Sequence, residues 1–216
     1  MKTDQGNVGV IVLDVQGDFT QLADGALAVE GTDRDWVDQV SQAVETLKRA
    51  GLPIFGTQDW HPRQHISFFT NHDGKKAFDV ITIEGRQQVL WPPHCVQGTK
   101  GANLLVDERL FDEIVKKGTD KRFDSYSGFQ DDGGHRTRLH QILQTRGISQ
   151  VVVFGIATDY CVKATALDAA DLGYVVILIE NLTRGVDLET SKNALKEMEQ
   201  KGITLLDEVD LKRITP

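Results

Sequence analysis

The sequence is poor in cysteine, in clustered positive charge and in long apolar runs. It has two cysteines among 216 residues, which is too few for a disulfide framework and is typical of free thiols in a reducing compartment. Lys and Arg number 24 against 32 Asp and Glu, a formal net charge of −8, so the chain should repel phosphate backbones. No apolar run approaches the ~20 residues of a membrane helix, and the N-terminal run 8–13 is shorter than that of a signal peptide. We therefore expect a soluble, cytoplasmic protein with neither membrane nor nucleic-acid partners.

Short apolar segments alternate with segments of helical periodicity along the chain. Strands are predicted at residues 8–13, 52–57, 80–83, 114–117, 150–154, 174–179 and 203–206. Helices are predicted from a cap at Thr32 or Asp33 to about residue 47, and at 138–143, 161–172 and 189–200, each followed by a glycine. This alternation predicts an α/β fold of three αβα layers, with a mostly parallel sheet covered by helices on both faces. We expect one domain over residues 1–216.

Reactive side chains follow the predicted strands, at the edge of the sheet where ligands bind in open parallel folds. They are Asp14 after the first strand, Asp59 and His61 after the strand at 52–57, Lys117 at the end of 114–117, and Cys161 after 150–154. Residues 59–110 form an unusually long connection beside them, and loops of that length are usually functional. The joint placement favours an active site more than any single residue does.

Cys161 lies where a strand and a glycine turn lead into a predicted helix. Backbone N–H groups at a helix start favour a thiolate, which predicts a lowered pKa and a reactive nucleophile. The same turn offers N–H donors at Cys161 and Ala157 that could hold an oxyanion. The alternative is a buried cysteine that packs as a small hydrophobe, and this structural interpretation is favoured for Cys95.

Asp14 and Lys117 have ordinary explanations as well as chemical ones. Asp14 is either a cap after a strand or a carboxylate that takes and returns the proton of a thiol, as covalent catalysis requires. Lys117 is either a solvated residue at a strand end or a cation that fixes this carboxylate. No histidine stands beside Cys161 in the sequence, so a papain-like pair has no direct support.

Asp59, His61 and His94 have the character of a metal site with open coordination positions. Residues i and i+2 of an extended segment point the same way, so Asp59 and His61 can meet one ion, and Pro62 keeps His61 extended. His94 follows two prolines and could supply the third ligand. Two histidines and one carboxylate suit Zn(II) or Fe(II). The alternative is that these loop histidines are merely polar, and His65 could be a fourth ligand or a supporting partner. Aromatic residues in the same loops either belong to the core or wall a flat ring; they are Phe19, Trp60, Trp91, Tyr126 and Phe129.

Five sequence blocks, in order along nearly the whole chain, resemble the nicotinamidase or pyrazinamidase family, the metal-containing branch of the isochorismatase-like cysteine hydrolases. The blocks are Leu-Asp-Val-Gln-Gly-Asp-Phe at 13–19, Asp-Trp-His-Pro at 59–62, Trp-Pro-Pro-His-Cys-Val-Gln-Gly-Thr at 91–99, Lys-Gly-Thr-Asp at 117–120 with Asp-Ser-Tyr-Ser-Gly-Phe at 124–129, and Ala-Thr-Asp-Tyr-Cys-Val at 157–162. Gly17 departs from the family, which usually has Asn there.

The resemblance implies a set of roles for matching residues. These are a catalytic triad of Asp14, Lys117 and Cys161; metal ligands Asp59, His61 and His94; oxyanion donors on the backbone of Ala157 and Cys161, with a cis peptide between Ile156 and Ala157; and a substrate pocket of Phe19, Trp91 and Tyr126. Zn(II) is the expected ion, with Fe(II) or Mn(II) as alternatives. His65 is a ligand in some family members and is not assigned. A homo-oligomer is compatible with the family.

The implied activity is hydrolysis of nicotinamide to nicotinate and ammonia in NAD salvage, with pyrazinamide as a further substrate. In this hypothesis the metal binds the ring nitrogen, Asp14 takes the thiol proton and Cys161 forms a thioester. Three rivals stay open: a cysteine hydrolase of acyclic amides, which does not need the metal set; an isochorismatase, which lacks the cysteine; and a non-catalytic sensor on the same fold. A dinucleotide-binding fold is not expected, because no Gly-x-Gly-x-x-Gly follows a strand.

Overall fold

A central sheet of six parallel strands dominates the computed structural model, which describes residues 7–215. The strands are β1 (Asn7–Leu13), β2 (Ile54–Asp59), β3 (Val80–Ile83), β4 (Arg86–Val89), β5 (Glu113–Lys117), β6 (Ile148–Ile156), β7 (Val175–Arg184) and β8 (Thr204–Leu206). Their order across the sheet is β5-β2-β1-β6-β7-β8, and β3 and β4 form a separate antiparallel hairpin. The predicted α/β class with a mostly parallel sheet is confirmed.

Helices cover both faces of this sheet. They are α1 (Arg34–Arg49), α2 (Leu139–Thr145), α3 (Lys163–Asp171), α4 (Leu188–Gln200) and α5 (Leu211–Ile214). Asp33 is the cap of α1, and its carboxylate accepts a hydrogen bond from the backbone N–H of Trp36 at 3.0 Å. Within residues 7–215 no helix combines the length and apolar character needed to cross a bilayer.

Alternate residues of β1 point into two separate hydrophobic cores. Val10 and Val12 pack on the α1 side, and Ile11 and Leu13 pack on the side of α2, α3 and α4. A strand buried on both faces needs a continuous apolar run, which is the pattern of residues 8–13. The two cores therefore establish the three layers.

Strand β1 lies in the middle of the sheet, and the direction in which successive strands are added reverses between β1 and β6. The chain builds outward through β2 and β5, returns to place β6 beside β1, and then continues to β7 and β8. A crevice forms at such a switch point, beyond the carboxyl ends of the strands. Gly155 in β6 (φ +133°) lies so close to β1 that an added Cβ would collide with the carbonyl oxygen of Leu13. This close approach sets the distance between the strand ends that carry Asp14 and Cys161.

The observed elements differ from the predicted ones at several ends. Asp59 is the last residue of β2 and does not follow it, because the pairing of β2 with β5 continues to Asp59 and Lys117. Strand β7 runs to Arg184, five residues past its predicted end. β4 and α5 were not predicted. Residues 1–6 and 216 lie outside the described range, and the single domain over 1–216 stays a prediction.

Candidate active site

Four adjacent strands each contribute one ionisable side chain to the same point of the crevice. In sheet order these are Lys117 at the end of β5, Asp59 at the end of β2, Asp14 after β1, and Cys161 after β6. The three side chains Asp14, Lys117 and Cys161 are almost fully buried, at 0%, 1% and 7% exposure. The structure thus brings together residues that are far apart in the sequence.

Lys117 contacts all three of the other side chains. Its Nζ atom lies 2.5 Å from Asp59 Oδ1, 3.0 Å from Asp14 Oδ2 and 3.4 Å from Cys161 Sγ. It also donates to the carbonyl oxygen of Ser125 at 2.8 Å. Burial opposes the charge of Lys117, but the nearby carboxylates raise its pKa well above the usual value. The ammonium therefore stays charged inside the protein and neutralises two buried carboxylates.

The two carboxylates beside Lys117 differ in basicity. Burial raises the pKa of Asp14 above its ordinary value, although Lys117 acts in the opposite direction, and Thr57 Oγ1 donates a hydrogen bond to Asp14 Oδ1 at 2.7 Å. Burial also acts to raise the pKa of Asp59, but Lys117 and His61 hold it well below its usual range. Asp14 is thus the more basic of the two and the better acceptor of a proton.

The sequence-based expectation for the acidity of Cys161 was wrong. Burial raises the pKa of the Cys161 thiol well above its usual value, and Lys117 only partly offsets this. Moreover, Cys161 does not lie in the first turn of an α-helix: it lies in a π-helical turn, Thr158–Val162, that precedes α3. This environment favours the neutral thiol over the thiolate. The thiol needs a base for activation, and an oxygen of Asp14 lies within 4.8 Å of its sulfur.

Asp59, His61 and His94 form a compact group that could hold a metal ion. One ligand atom from each lies within 4.8 Å of the other two, and all three residues are buried. The ring of His61 packs against Gly118, where a Cβ would collide with the imidazole, and Gly118 adopts a positive φ of +62°. The carbonyl of Gly118 can therefore accept from Nδ1 of His61 at 3.0 Å.

The hydrogen bonds of the two imidazoles fit a bound cation. Nδ1 of His61 lies 3.0 Å from the carbonyl of Gly118, so a proton on Nδ1 leaves Nε2 for an ion; Nε2 is buried, faces Asp59 Oδ2 at 3.4 Å and has no hydrogen-bond partner among residues 7–215. Burial opposes a charge on this ring, but the neighbouring Asp59 raises the pKa of His61, so an ion bound at Nε2 would take the place of a proton. His94 likewise directs Nδ1 to the carbonyl of Pro92 at 2.8 Å. Burial, with the proximity of His61, lowers the pKa of His94 to about 4, so its ring is neutral at neutral pH, as metal ligation requires.

His65 lies beside this group, but its ring nitrogens are engaged elsewhere. Its Nε2 donates to the carbonyl of Phe123 at 3.0 Å, and its Nδ1 accepts from the hydroxyl of Ser67 at 2.7 Å. Its ring centroid is 4.3 Å from that of His61. In this arrangement His65 supports the packing of His61 and offers no free nitrogen to an ion.

Gln16 fixes the backbone of Asp59. Its side-chain oxygen accepts from the Asp59 N–H at 2.7 Å, and its amide nitrogen donates to the carbonyls of Asp59 and Ala102 at 2.9 and 2.8 Å. Gln16 is fully buried. Gln16 therefore holds the main chain of Asp59, while Lys117 holds its carboxylate.

A pocket opens beside Cys161 and reaches Asp59 and His94. Phe19, Trp91 and Tyr126 line it, in agreement with the wall interpretation of these aromatic residues. The indole Nε1 of Trp91 donates to the hydroxyl of Tyr126 at 3.1 Å. Trp60 and Phe129, in contrast, pack against the two hydrophobic cores. The lining of the pocket thus combines aromatic rings with a thiol, a carboxylate and an imidazole.

The backbone before Cys161 also borders the pocket. The peptide between Ile156 and Ala157 is cis, and both residues line the cavity. The role of the Ala157 and Cys161 N–H groups as oxyanion donors stays a prediction.

Sequence reasoning missed several residues of the site. Tyr160 and Val186 both line the pocket, and the ring centroid of Tyr160 is 5.0 Å from that of Trp91. Tyr160 stands next to Cys161, so its position in the block 157–162 could have indicated it. Thr57, Gln16 and Val186 carry no pattern of their own, because their contacts are made only in three dimensions.

Comparisons with known proteins point to one family. Residues 8–209 match the model of the isochorismatase domain. A nicotinamidase of Acinetobacter baylyi is 41% identical over 201 residues, which cover 91% of this chain and 91% of that protein.

Two solved structures share the fold over nearly their whole length. A pyrazinamidase of Pyrococcus horikoshii in complex with zinc has a TM-score of 0.77 and 37% identity, covering 93% of this chain and 98% of that chain. A yeast nicotinamidase bound to the inhibitor nicotinaldehyde has a TM-score of 0.85 and 31% identity, covering 93% and 100%.

Proposed function

Because the chain belongs to the isochorismatase domain family, we propose that it is a nicotinamidase, which hydrolyses nicotinamide to nicotinate and ammonia and so returns the pyridine ring to NAD synthesis. The observation that carries this proposal is the contact of Lys117 with Asp14, Asp59 and Cys161 at the base of one aromatic-walled pocket. This contact joins the nucleophile Cys161 to the metal-binding group that contains Asp59. The relatives named nicotinamidase support the same substrate.

Cys161 is the proposed nucleophile and Asp14 its base. Asp14 takes the thiol proton while sulfur bonds to the carboxamide carbon, and the negative charge that develops on the carbonyl oxygen is stabilised by the N–H groups of Ala157 and Cys161. The raised pKa values of Asp14 and Cys161 suit this order, because the proton moves to a basic carboxylate only as the sulfur attacks. Lys117 keeps the carboxylates paired throughout.

The second half of the reaction uses the same residues. The carbon–nitrogen bond breaks as Asp14 returns the proton to the departing ammonia, which leaves a thioester on Cys161. Water then attacks the thioester carbon, Asp14 takes a proton from the water, and this proton returns to the sulfur as nicotinate is released. Each proton that Asp14 accepts is thus passed on within the cycle.

Asp59, His61 and His94 are the proposed ligands of a divalent ion, Zn(II) by the choice of ligands and by the zinc-bound relative. When bound, this ion supplies a Lewis acid for the ring nitrogen of the substrate. Phe19, Trp91 and Tyr126 contact the faces and edge of the ring and exclude water. Pyrazinamide has a ring nitrogen in the same position relative to its carboxamide, so we propose it as a second substrate.

Two rival activities are disfavoured by particular residues. A hydrolase of acyclic amides would use Asp14, Lys117 and Cys161 but would not need the metal-binding group of Asp59, His61 and His94. An isochorismatase would not require a thiol at the base of the pocket. A non-catalytic sensor would not release ammonia.

The test is an ammonia-release assay with nicotinamide on the metal-loaded protein. We expect turnover by the parent and its loss in Cys161→Ala, while calorimetry still detects nicotinate binding to that variant. Dialysis against a chelator should abolish both turnover and binding, and readdition of Zn(II) should restore them. Cys95→Ala is the control, because Cys95 is buried in the core and should not affect turnover. A metal-loaded parent that releases no ammonia would refute the assignment.

A further inference from the structure

The segment 185–190, called the 185–190 loop below, comprises the connection 185–187 between β7 and α4 and the first three residues of α4, and it borders the pocket. Val186 lines the pocket and is 40% exposed, and Leu188 is 80% exposed. Apolar side chains with that much exposure gain little from burial, so they do not fix the position of a loop. Polar contacts must hold it.

Asp187 caps α4 by accepting from the backbone N–H groups of Glu189 and Thr190, and the contacts with the rest of the site are made by the carboxylate of Asp159. Its Oδ1 accepts from the backbone N–H of Val186 at 3.0 Å, and its Oδ2 accepts from the N–H of Asp187 at 3.3 Å and from the hydroxyl of Thr190 at 2.5 Å. The Asp159 residue is 7% exposed. Hydrogen bonds to a charged acceptor are stronger than those between neutral groups. One buried side chain thus binds the loop at three points.

Asp159 belongs to the same π-helical turn, Thr158–Val162, that carries Tyr160 and Cys161. The turn therefore carries the thiol that lines the pocket, and the side chain of Asp159 in the same turn holds the 185–190 loop. This geometry couples the position of Val186 to the position of the nucleophile.

We propose that Asp159 is a positioning residue that holds the 185–190 loop against the pocket, so that Val186 closes the wall over the substrate ring. The inference rests on the proposed nicotinamidase function and adds a specificity element to it. Substrate binding buries Val186 only if the loop is already in place. Loosening the loop should therefore weaken binding of the ring and leave the chemistry at Cys161 unchanged.

Thr190→Val removes the hydroxyl donor at nearly constant volume and leaves the two backbone donors and the Cys161 turn intact. We expect KM for nicotinamide to rise about fivefold, the order of effect of one hydrogen bond, with kcat within about twofold of the parent. The dissociation constant of nicotinate should rise by the same factor. Thr190→Ser keeps the hydroxyl and should restore both values.

Asp159→Asn is the stronger perturbation. An amide presents one oxygen, so its NH₂ group must face either the Val186 N–H or the Asp187 N–H, two donors in conflict. KM should rise by more than the Thr190→Val factor. Thr145→Val is the matched control, because it removes a hydroxyl that donates to a backbone carbonyl on the exposed surface of α2, away from the pocket.

Thermal unfolding separates positioning from stability. Thr190→Val with a lowered Tm but the KM of Thr145→Val would overturn the inference, as would a loss of kcat with KM unchanged. An active parent with unchanged Thr190→Val kinetics refutes the role of Asp159 alone. A parent that releases no ammonia refutes the proposed function and this inference with it.

Discussion

Lys117 and Asp59 form a buried ion pair, with 2.5 Å between Nζ and Oδ1, and the other oxygen of the same carboxylate faces His61 Nε2 at 3.4 Å. One carboxylate thus serves both the nucleophile set and the metal-binding group. The two sets are joined through a single side chain, so changes on one side should be felt on the other.

Removing the ammonium of Lys117 should be costly for stability and activity. Lys117→Met keeps an unbranched side chain of similar length but leaves Asp14 and Asp59 buried without a cation. Breaking a buried pair in this way typically destabilises a protein by about 3–5 kcal/mol. We expect a loss of that order in urea unfolding and a fall in kcat/KM of at least about 100-fold.

Lys116→Met is the control for this change. The Lys116 ammonium lies over the ring of Trp60, 3.8 Å from its centroid, and has no role in the site. Its loss should cost below about 1 kcal/mol. Equal stability of the two variants would show that Lys117 does not neutralise the buried carboxylates.

The histidines beside the pocket should differ in their effect on metal content. His94→Ala removes a proposed ligand, and we expect metal affinity to fall by at least about 100-fold. Mutation of residues that only hydrogen-bond to a metal ligand already lowers metal affinity by about 10–100-fold. His65→Ala should retain the metal, because both ring nitrogens of His65 bond to Ser67 and Phe123.

The measurement is elemental analysis of each purified variant after dialysis against metal-free buffer. Retention of stoichiometric metal by His94→Ala, or its loss from His65→Ala alone, would contradict the ligand set. Circular dichroism on both proteins separates metal loss from unfolding.

Much of this architecture follows from local sequence pattern. The run 8–13 predicts a strand buried on both faces, and Asp33 predicts the start of α1, because burial and capping depend on neighbouring residues. The placement of Asp14, Asp59, Lys117 and Cys161 at one edge follows from the rule that parallel strands share their carboxyl ends.

Other features depend on contacts between distant residues and leave little local signal. The acidity of Cys161 was predicted from a helix start, yet burial dominates it, and burial is a property of the whole crevice. The hold of Asp159 on Thr190 spans 31 residues of sequence. For strand β4 the sequence does contain a signal, the glycine at position 85. The two-residue turn between β3 and β4 needs positive φ at Glu84 and Gly85, a conformation that favours glycine.

Tyr126→Phe should weaken substrate binding without slowing the chemistry. The change removes the acceptor of the Trp91 indole N–H, 3.1 Å away, so Trp91 is less well oriented against the ring. One such hydrogen bond contributes about 1 kcal/mol, which corresponds to a rise in KM of about fivefold with kcat nearly unchanged.

Tyr174→Phe is the matched control, since it also removes a phenol that bonds to a side chain, in this case His140 at 2.9 Å, outside the pocket. Its KM should equal that of the parent. The same KM in both variants would show that the Trp91 and Tyr126 pair does not position the substrate.

Asp132 should make the protein less stable as the pH rises from about 4 to about 6. Burial, with repulsion from Asp124, raises the pKa of Asp132 to about 6, whereas the ordinary value is 3.8. Between these values the folded state holds a proton that the unfolded state has lost, so stability falls as the pH rises through this window and stays lower above it. Asp132→Asn removes the charge. Because the side chain is partly exposed to solvent, we expect a gain below about 1 kcal/mol at pH 7.5 and none at pH 3.5.

Asp107 provides a control of opposite sign for this effect. Hydrogen bonds from Arg109 lower the pKa of Asp107 to about 2, so its contribution to stability is present at neutral pH and is lost as the pH falls toward that value. Asp107→Asn should therefore not raise the Tm at pH 7.5, whereas Asp132→Asn should. Parallel melting curves of the two variants and the parent at pH 3.5, 5 and 7.5 test this. If Asp132→Asn gives the same Tm difference from the parent at every pH, the charge of Asp132 is not the cause, and the substitution acts through packing alone.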